Sequence, residues 1–238
     1  MSLLPLISDR PDAGVWSVAH ALNAPGGLPI GTRSTVIRRD DGALILHAPG
    51  ALTPADIEAI RALGPVVAVV APNREHHLFA RAAVAAFPGA QLHAPTGMDK
   101  KLAGAPDALL PSANSGWDAR FGAALPLLHV GGLPTLDECV LLHKASGTLI
   151  TTDLVFNLVD LPPSFGATML RWVGSAGQYG PTNIFKWLFL KDKHALRRSL
   201  DQLLEAGFDQ VSMCHGTPIT GDGARRTAEA FAFLPAGA

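Results

Sequence analysis

The chain has 238 residues, of which 48% are hydrophobic and 16% charged, and its formal net charge is −1. That length supports one core-bearing domain over residues 1–238, and a near-neutral balance without a basic stripe excludes a nucleic-acid partner. The opening MSLLPLISDRPDAG has no basic region ahead of its short apolar stretch, and no later run is long and uncharged enough to span a bilayer. Two cysteines, Cys139 and Cys214, are too few for a disulfide framework. A soluble, cytoplasmic protein with reduced cysteines, no membrane partner and a small-molecule ligand is expected.

In chain order, the first elements are strands. VWSVAHAL, TRSTVIRR and ALILHA, the last two joined by the tight Asp40-Asp41-Gly42 turn, predict an antiparallel meander between Gly14 and Ala48. Thr53-Pro54 reads as an N-cap followed by proline at the first helical position. Ile57, Ile60 and Leu63 then mark one face of a helix that Gly64 ends. Val66 to Ala71 is apolar and β-branched without polar alternation, as in a strand covered on both faces, and it stops at Pro72. After a helix ending near Phe87, the pattern predicts a short strand over Gln91 to Ala94, a helix over Thr96 to Leu102, and irregular chain to Gly122.

The second half starts again with strands: GAALPLLHV, DECVLLHK and TLITTDLVF. Asp160 to Lys193, aromatic and broken by prolines and glycines, predicts one or two short helices forming a lid or insertion over a pocket, or an oligomer contact. A leucine-faced helix from Leu196 closes at Gly207, FDQVSMCHG is a short strand ending in His215-Gly216, and Asp222 opens a last helix. Two halves with strands before helices predict two sheets face to face with helices outside.

Polar chemistry gathers at the ends of three of these strands: His76 and His77 after the first, Asp153 after TLITT, His215 after QVSMC. Adjacent histidines diverge in a strand or a helix, so both can serve one centre only at a strand-to-helix corner. Three histidines and a carboxylate are ligand types of a zinc site. Asp137-Glu138 reads as a solvated strand start and Cys214 as core.

On these residues the chain resembles the metallo-β-lactamase fold superfamily, through the opening meander, the central strand with its loop, LITTDLVF as the strand bearing a bridging aspartate, and MCHG as the last ligand strand. The resemblance implies an α/β protein with a four-layer αββα sandwich. The family's loop motif is His-x-His-x-Asp-His, and the matching positions here read Pro72-x-Arg74-x-His76-His77, while the turn VGGLPTLDE carries no histidine. The resemblance therefore implies a divergent member that has lost the first metal site and keeps at most one metal, zinc being the foremost choice, on His76, His77, Asp153 and His215. Arg74 cannot coordinate, so it either pairs with Asp153 in place of an ion or turns away. Asp153, orienting a water, and Arg74, stabilising developing negative charge, are the expected catalytic residues. Two readings stay open: an atypical hydrolase of a small, anionic substrate, or a metal-free, non-catalytic ligand-binding or structural descendant. Homo-oligomerisation is left open as well.

Overall fold

The computed structural model describes residues 3–6, 13–24, 28–110, 117–122, 124–161, 163, 165–172 and 174–236. The larger sheet runs in spatial order β1 (Leu4–Pro5), β2 (Val15–His20), β3 (Thr32–Arg38), β4 (Leu44–His47), β5 (Val66–Val70), β6 (Gln91–Pro95) and β7 (Ala108–Leu110). Neighbours are antiparallel as far as β4 and parallel from there on. The smaller sheet runs β8 (Leu127–His129), β9 (Cys139–His143), β10 (Thr148–Ile150), β11 (Gln210–Ser212), β12 (Ile219–Thr220), with β10 and β11 its one parallel pair among the described residues.

Strand pleating explains the layers. In β5 the side chains of Ala68 and Val70 face the smaller sheet, packing with Leu141 and Ile150, while Val69 faces outward onto Ile60 and Ala83. Ile60 belongs to α1 (Pro54–Leu63), which Thr53 caps through a reciprocal capping box with Asp56, and Ala83 to α2 (Ala80–Ala86). On the far side of the smaller sheet, Val140, Leu142 and Leu149 pack under Leu196 and Leu200 of α5 (Lys193–Ala206) and beside Phe231, which follows α6 (Gly223–Ala230). The result is the four-layer αββα sandwich that the order of elements predicts.

Three stretches depart from expectation. Thr96 to Leu102 forms turns and no helix. The stretch to Gly122 holds β7 and a short helix, α3 (Trp117–Phe121), whose Trp117 and Phe121 plug the space between the sheets. The strand begun by TLITT ends at Ile150: Thr151 makes the last ladder bond, to the Ser212 carbonyl, and the next two amides, Thr152 and Asp153, leave the ladder to donate to the carboxylate of Glu138. Glu138 is fully buried, so the solvated reading of that position is corrected. A buried carboxylate needs donors, and here it receives three, at 2.6 to 3.0 Å, including the Thr151 hydroxyl.

Candidate functional site

The loop after β5 is shaped by Asn73, which is completely buried. Its side-chain oxygen accepts from the amides of Glu75 and His76 at 2.9 and 2.8 Å, an Asx turn that swings His76 back over the sandwich edge. Its side-chain amide donates to Thr152 Oγ1 at 2.9 Å and to Asp153 Oδ2 at 2.8 Å, so one residue sets both the histidine and the aspartate. The Pro72 carbonyl accepts from Cys139 and the Arg74 amide donates to Leu136, tying this loop to the smaller sheet.

His215 follows β11 and is fixed from both ends. Its Nδ1 lies 2.7 Å from the Gly31 carbonyl and must carry a proton, so that in the neutral ring the lone pair is on Nε2. Its ring stacks on Phe156 with centroids 4.9 Å apart and planes 9° from parallel. That stacking depends on Gly216, whose φ is +98° and where a Cβ would stand 2.1 Å from the Asn157 carbonyl oxygen. Only glycine lets the Phe156–Asn157 segment pair so closely with the end of the His215 strand.

Three donors thereby meet. His76 Nε2 lies 3.3 and 3.2 Å from the two oxygens of Asp153, His215 Nε2 lies 3.4 Å from Asp153 Oδ1, and the two Nε2 atoms are 3.3 Å apart. Ligands held by one zinc at its usual bond lengths in a tetrahedron are separated by roughly 3.4 Å, so this triangle has the dimensions of one face of such a site. The donor set fits a divalent ion, and all three residues line the cavity. Electrostatically, burial presses the Asp153 carboxyl upward, but the neighbouring His76, with the His215 ring beside it, outweighs burial and holds the carboxyl well below its usual range. Burial likewise lowers the proton affinity of His76, and the Asp153 carboxylate more than restores it.

The other expected residues lie elsewhere. His77 lines the same cavity but stands outside the triangle of donors; burial, then the charge of Lys101, lowers its proton affinity. Arg74 pairs with Asp137 at 3.2 Å, a carboxylate that also receives His129 at 3.0 Å, so it turns away from Asp153. Asn73 and Glu138 carry no signal of a site in the sequence: the first reads as a turn residue after a proline, the second as one half of an acidic pair.

The triangle forms part of the wall of a cavity of about 600 Å³. Most of its wall is apolar, with Ile30, Phe156, Leu158, Leu170, Phe185 and Phe189 prominent, and among the described residues no lysine or arginine lines it. Leu170, Ser175, Thr182, Ile184, Phe185, Leu188 and Phe189 come from the segment expected to overhang the pocket.

A family model described as Domain of unknown function (DUF4336) matches residues 15–171. None of the curated proteins matches the chain. Among solved structures, a metallo-β-lactamase from Erythrobacter litoralis with β-mercaptoethanol in the active site is 20% identical, covers 93% of this chain and 93% of its own, and superposes with a TM-score of 0.61. One from Hirschia baltica is 16% identical, with 92% and 94% covered and a TM-score of 0.59. One from Pseudomonas aeruginosa in its mono-zinc form is 14% identical, with 92% of each chain covered and the same TM-score of 0.59. At these identities the likeness establishes the metallo-β-lactamase fold.

Proposed function

We propose that this chain, which belongs to the DUF4336 family, is a hydrolase holding one divalent metal on His76, Asp153 and His215 and acting on a molecule with an apolar body. The observation that carries the reading is the triangle of donors, 3.2 to 3.4 Å on a side, with the His215 ring turned so that Nδ1 meets the Gly31 carbonyl and Nε2 faces the other two donors. Three protein ligands with a fourth position open are the pattern of catalytic rather than structural zinc. When bound, the ion supplies Lewis acidity and makes water a competent nucleophile at neutral pH.

The chain's own groups do the rest. Asn73 and Glu138 hold the Asp153 carboxylate in orientation, one through its side chain and the other through its backbone. His77, neutral and half-buried on the cavity wall, stands where it can take a proton from the reacting group or return one. The apolar walls bind the body of the substrate and exclude water, and the absence of a lysine or arginine from them among the described residues weighs against the anionic substrate first expected. Residues 160–193 act as the lid.

A metal-free binding role is favoured by one observation: His76 and Asp153 already form a direct pair of opposite charges. Calorimetric titration of zinc into chelator-stripped protein separates the two. Wild type is expected to bind about one equivalent and His215→Ala and Asp153→Ala to bind none, with Arg74→His and His77→Ala close to wild type. No binding by the wild type would leave the metal-free role, and full binding by His215→Ala would remove the triangle from consideration.

A further inference from the structure

The lid segment carries a second feature on its outer face. In α4 (Phe165–Trp172), Phe165, Met169 and Trp172 are spaced i, i+4, i+7 and so share one side, where Phe165 and Trp172 are 86% and 88% exposed. The opposite side buries Ala167 and Leu170, the latter on the cavity wall. The π-helical turn Phe185–Phe189 repeats the arrangement: Phe185 is buried, while Trp187 and Leu188 are 73% and 57% exposed. The two are neighbours, since a Cβ on Gly174 would lie 2.4 Å from the Asn183 side chain. Leu78, Ile184 and Leu188 are exposed and also line the cavity, so this apolar surface is continuous with the cavity mouth.

Charge says what covers it. Between 165 and 193 the chain has four basic residues, Arg171, Lys186, Lys191 and Lys193, against one acidic residue, Asp192, a net of +3 that leaves −4 for the remainder of a chain of −1. Arg171, Lys191 and Lys193 are exposed and Lys186 is partly so. A two-fold dimer through this face would set the positive patch against itself. Exposed tryptophan and phenylalanine on one segment with exposed lysine and arginine suit the headgroup region of an anionic bilayer instead.

We propose that the outer face of 165–193 docks on anionic lipid surfaces, with Trp172 and Trp187 at headgroup depth and the cavity mouth turned towards the bilayer. The docking requires no metal and stands whether or not the hydrolase reading does. It also qualifies the expectation of no membrane partner, which concerned spanning segments; among the described residues no helix is long and apolar enough to cross a membrane.

The test is sedimentation of the full chain, in chelator, with vesicles of phosphatidylcholine alone or mixed with phosphatidylglycerol. Wild type should sediment with the mixed vesicles, release as salt rises, and show a blue shift of tryptophan emission. Trp16 and Trp117 are already buried, so that shift reports on Trp172 and Trp187. The double variant Trp172→Gln/Trp187→Gln, altered only at exposed positions and checked for an unchanged melting curve, should bind the mixed vesicles about tenfold or more weakly. Failure of wild type to sediment, or equal sedimentation by the variant, overturns the proposal. So does a wild-type dimer by ultracentrifugation that the variant dissolves, because a second copy would then own the face.

Discussion

Asn73 shows how much a neutral side chain can organise. Its replacement by alanine strands two loop amides and removes the donor from Asp153 in a buried setting, so Asn73→Ala should lower unfolding free energy by about 2 kcal/mol in urea titrations. It should also weaken metal binding by about 10- to 100-fold, as loss of a supporting hydrogen bond does elsewhere. Arg74→His should leave zinc affinity near wild type, because Asp137 and His129 hold the guanidinium away from the triangle. A histidine or aspartate advertises coordination in a sequence, which is why His76, His77, Asp153 and His215 stand out there as candidates; the structure brings His76, Asp153 and His215 together and leaves His77 outside the triangle. Asn73 and Glu138 were not, because their roles exist only in the folded chain: Asn73 reaches Thr152 and Asp153 about 80 residues on, and Glu138 meets the bend 13 to 15 residues on only once the strands on either side pair.

At the scale of elements, the sequence pattern predicts strands best where burial is on both faces, as in Val66–Val70, and helices best where a cap and a stripe agree, as in Pro54–Leu63. It fails where tertiary hydrogen bonds override local pattern. TLITTDLVF is β-prone throughout, yet Glu138 draws two of its amides out of the ladder and makes the bend that presents Asp153. The His215 strand end depends on a comparable local exception. Gly216→Ala combines a strained φ with a collision against the Asn157 carbonyl, and should cost roughly 2–3 kcal/mol and loosen Phe156 from the His215 ring. Chemical denaturation measures the first effect, and broadening of the His215 ring resonance in NMR spectra the second; an unchanged ring signal would mean that the stacking does not need the close pairing.

Across the whole molecule, the sandwich buries imidazoles that take no part in the site. His93 meets the edges of Trp117 and Phe121, and burial, with Arg120 adding to it, pushes its pKa down to about 4. The folded protein therefore refuses a proton that the unfolded chain, with a histidine near 6.5, accepts. Stability from this group is complete above about pH 6.5 and falls as pH drops towards 4, by roughly 3 kcal/mol in all. His47, fully buried and pushed down to about 3, steepens the same loss. His93→Phe should flatten part of that acid limb in denaturation curves taken from pH 7 to 4, and an unaltered limb would place the proton uptake on other groups.

The three donors do not belong to one sheet. His76 follows β5 of the larger sheet, while Asp153 and His215 follow β10 and β11 of the smaller one. An ion held by all three would be a cross-link over the seam between the halves, since its ligands are gathered in the folded chain and scattered in the unfolded one. Mass action then ties occupancy to melting: each tenfold excess of ion over its dissociation constant adds about 1.4 kcal/mol to unfolding. Thermal melts in zinc, manganese and magnesium should rank the ions by this site's preference before any substrate is in hand, and His215→Ala should collapse the ranking to a single curve.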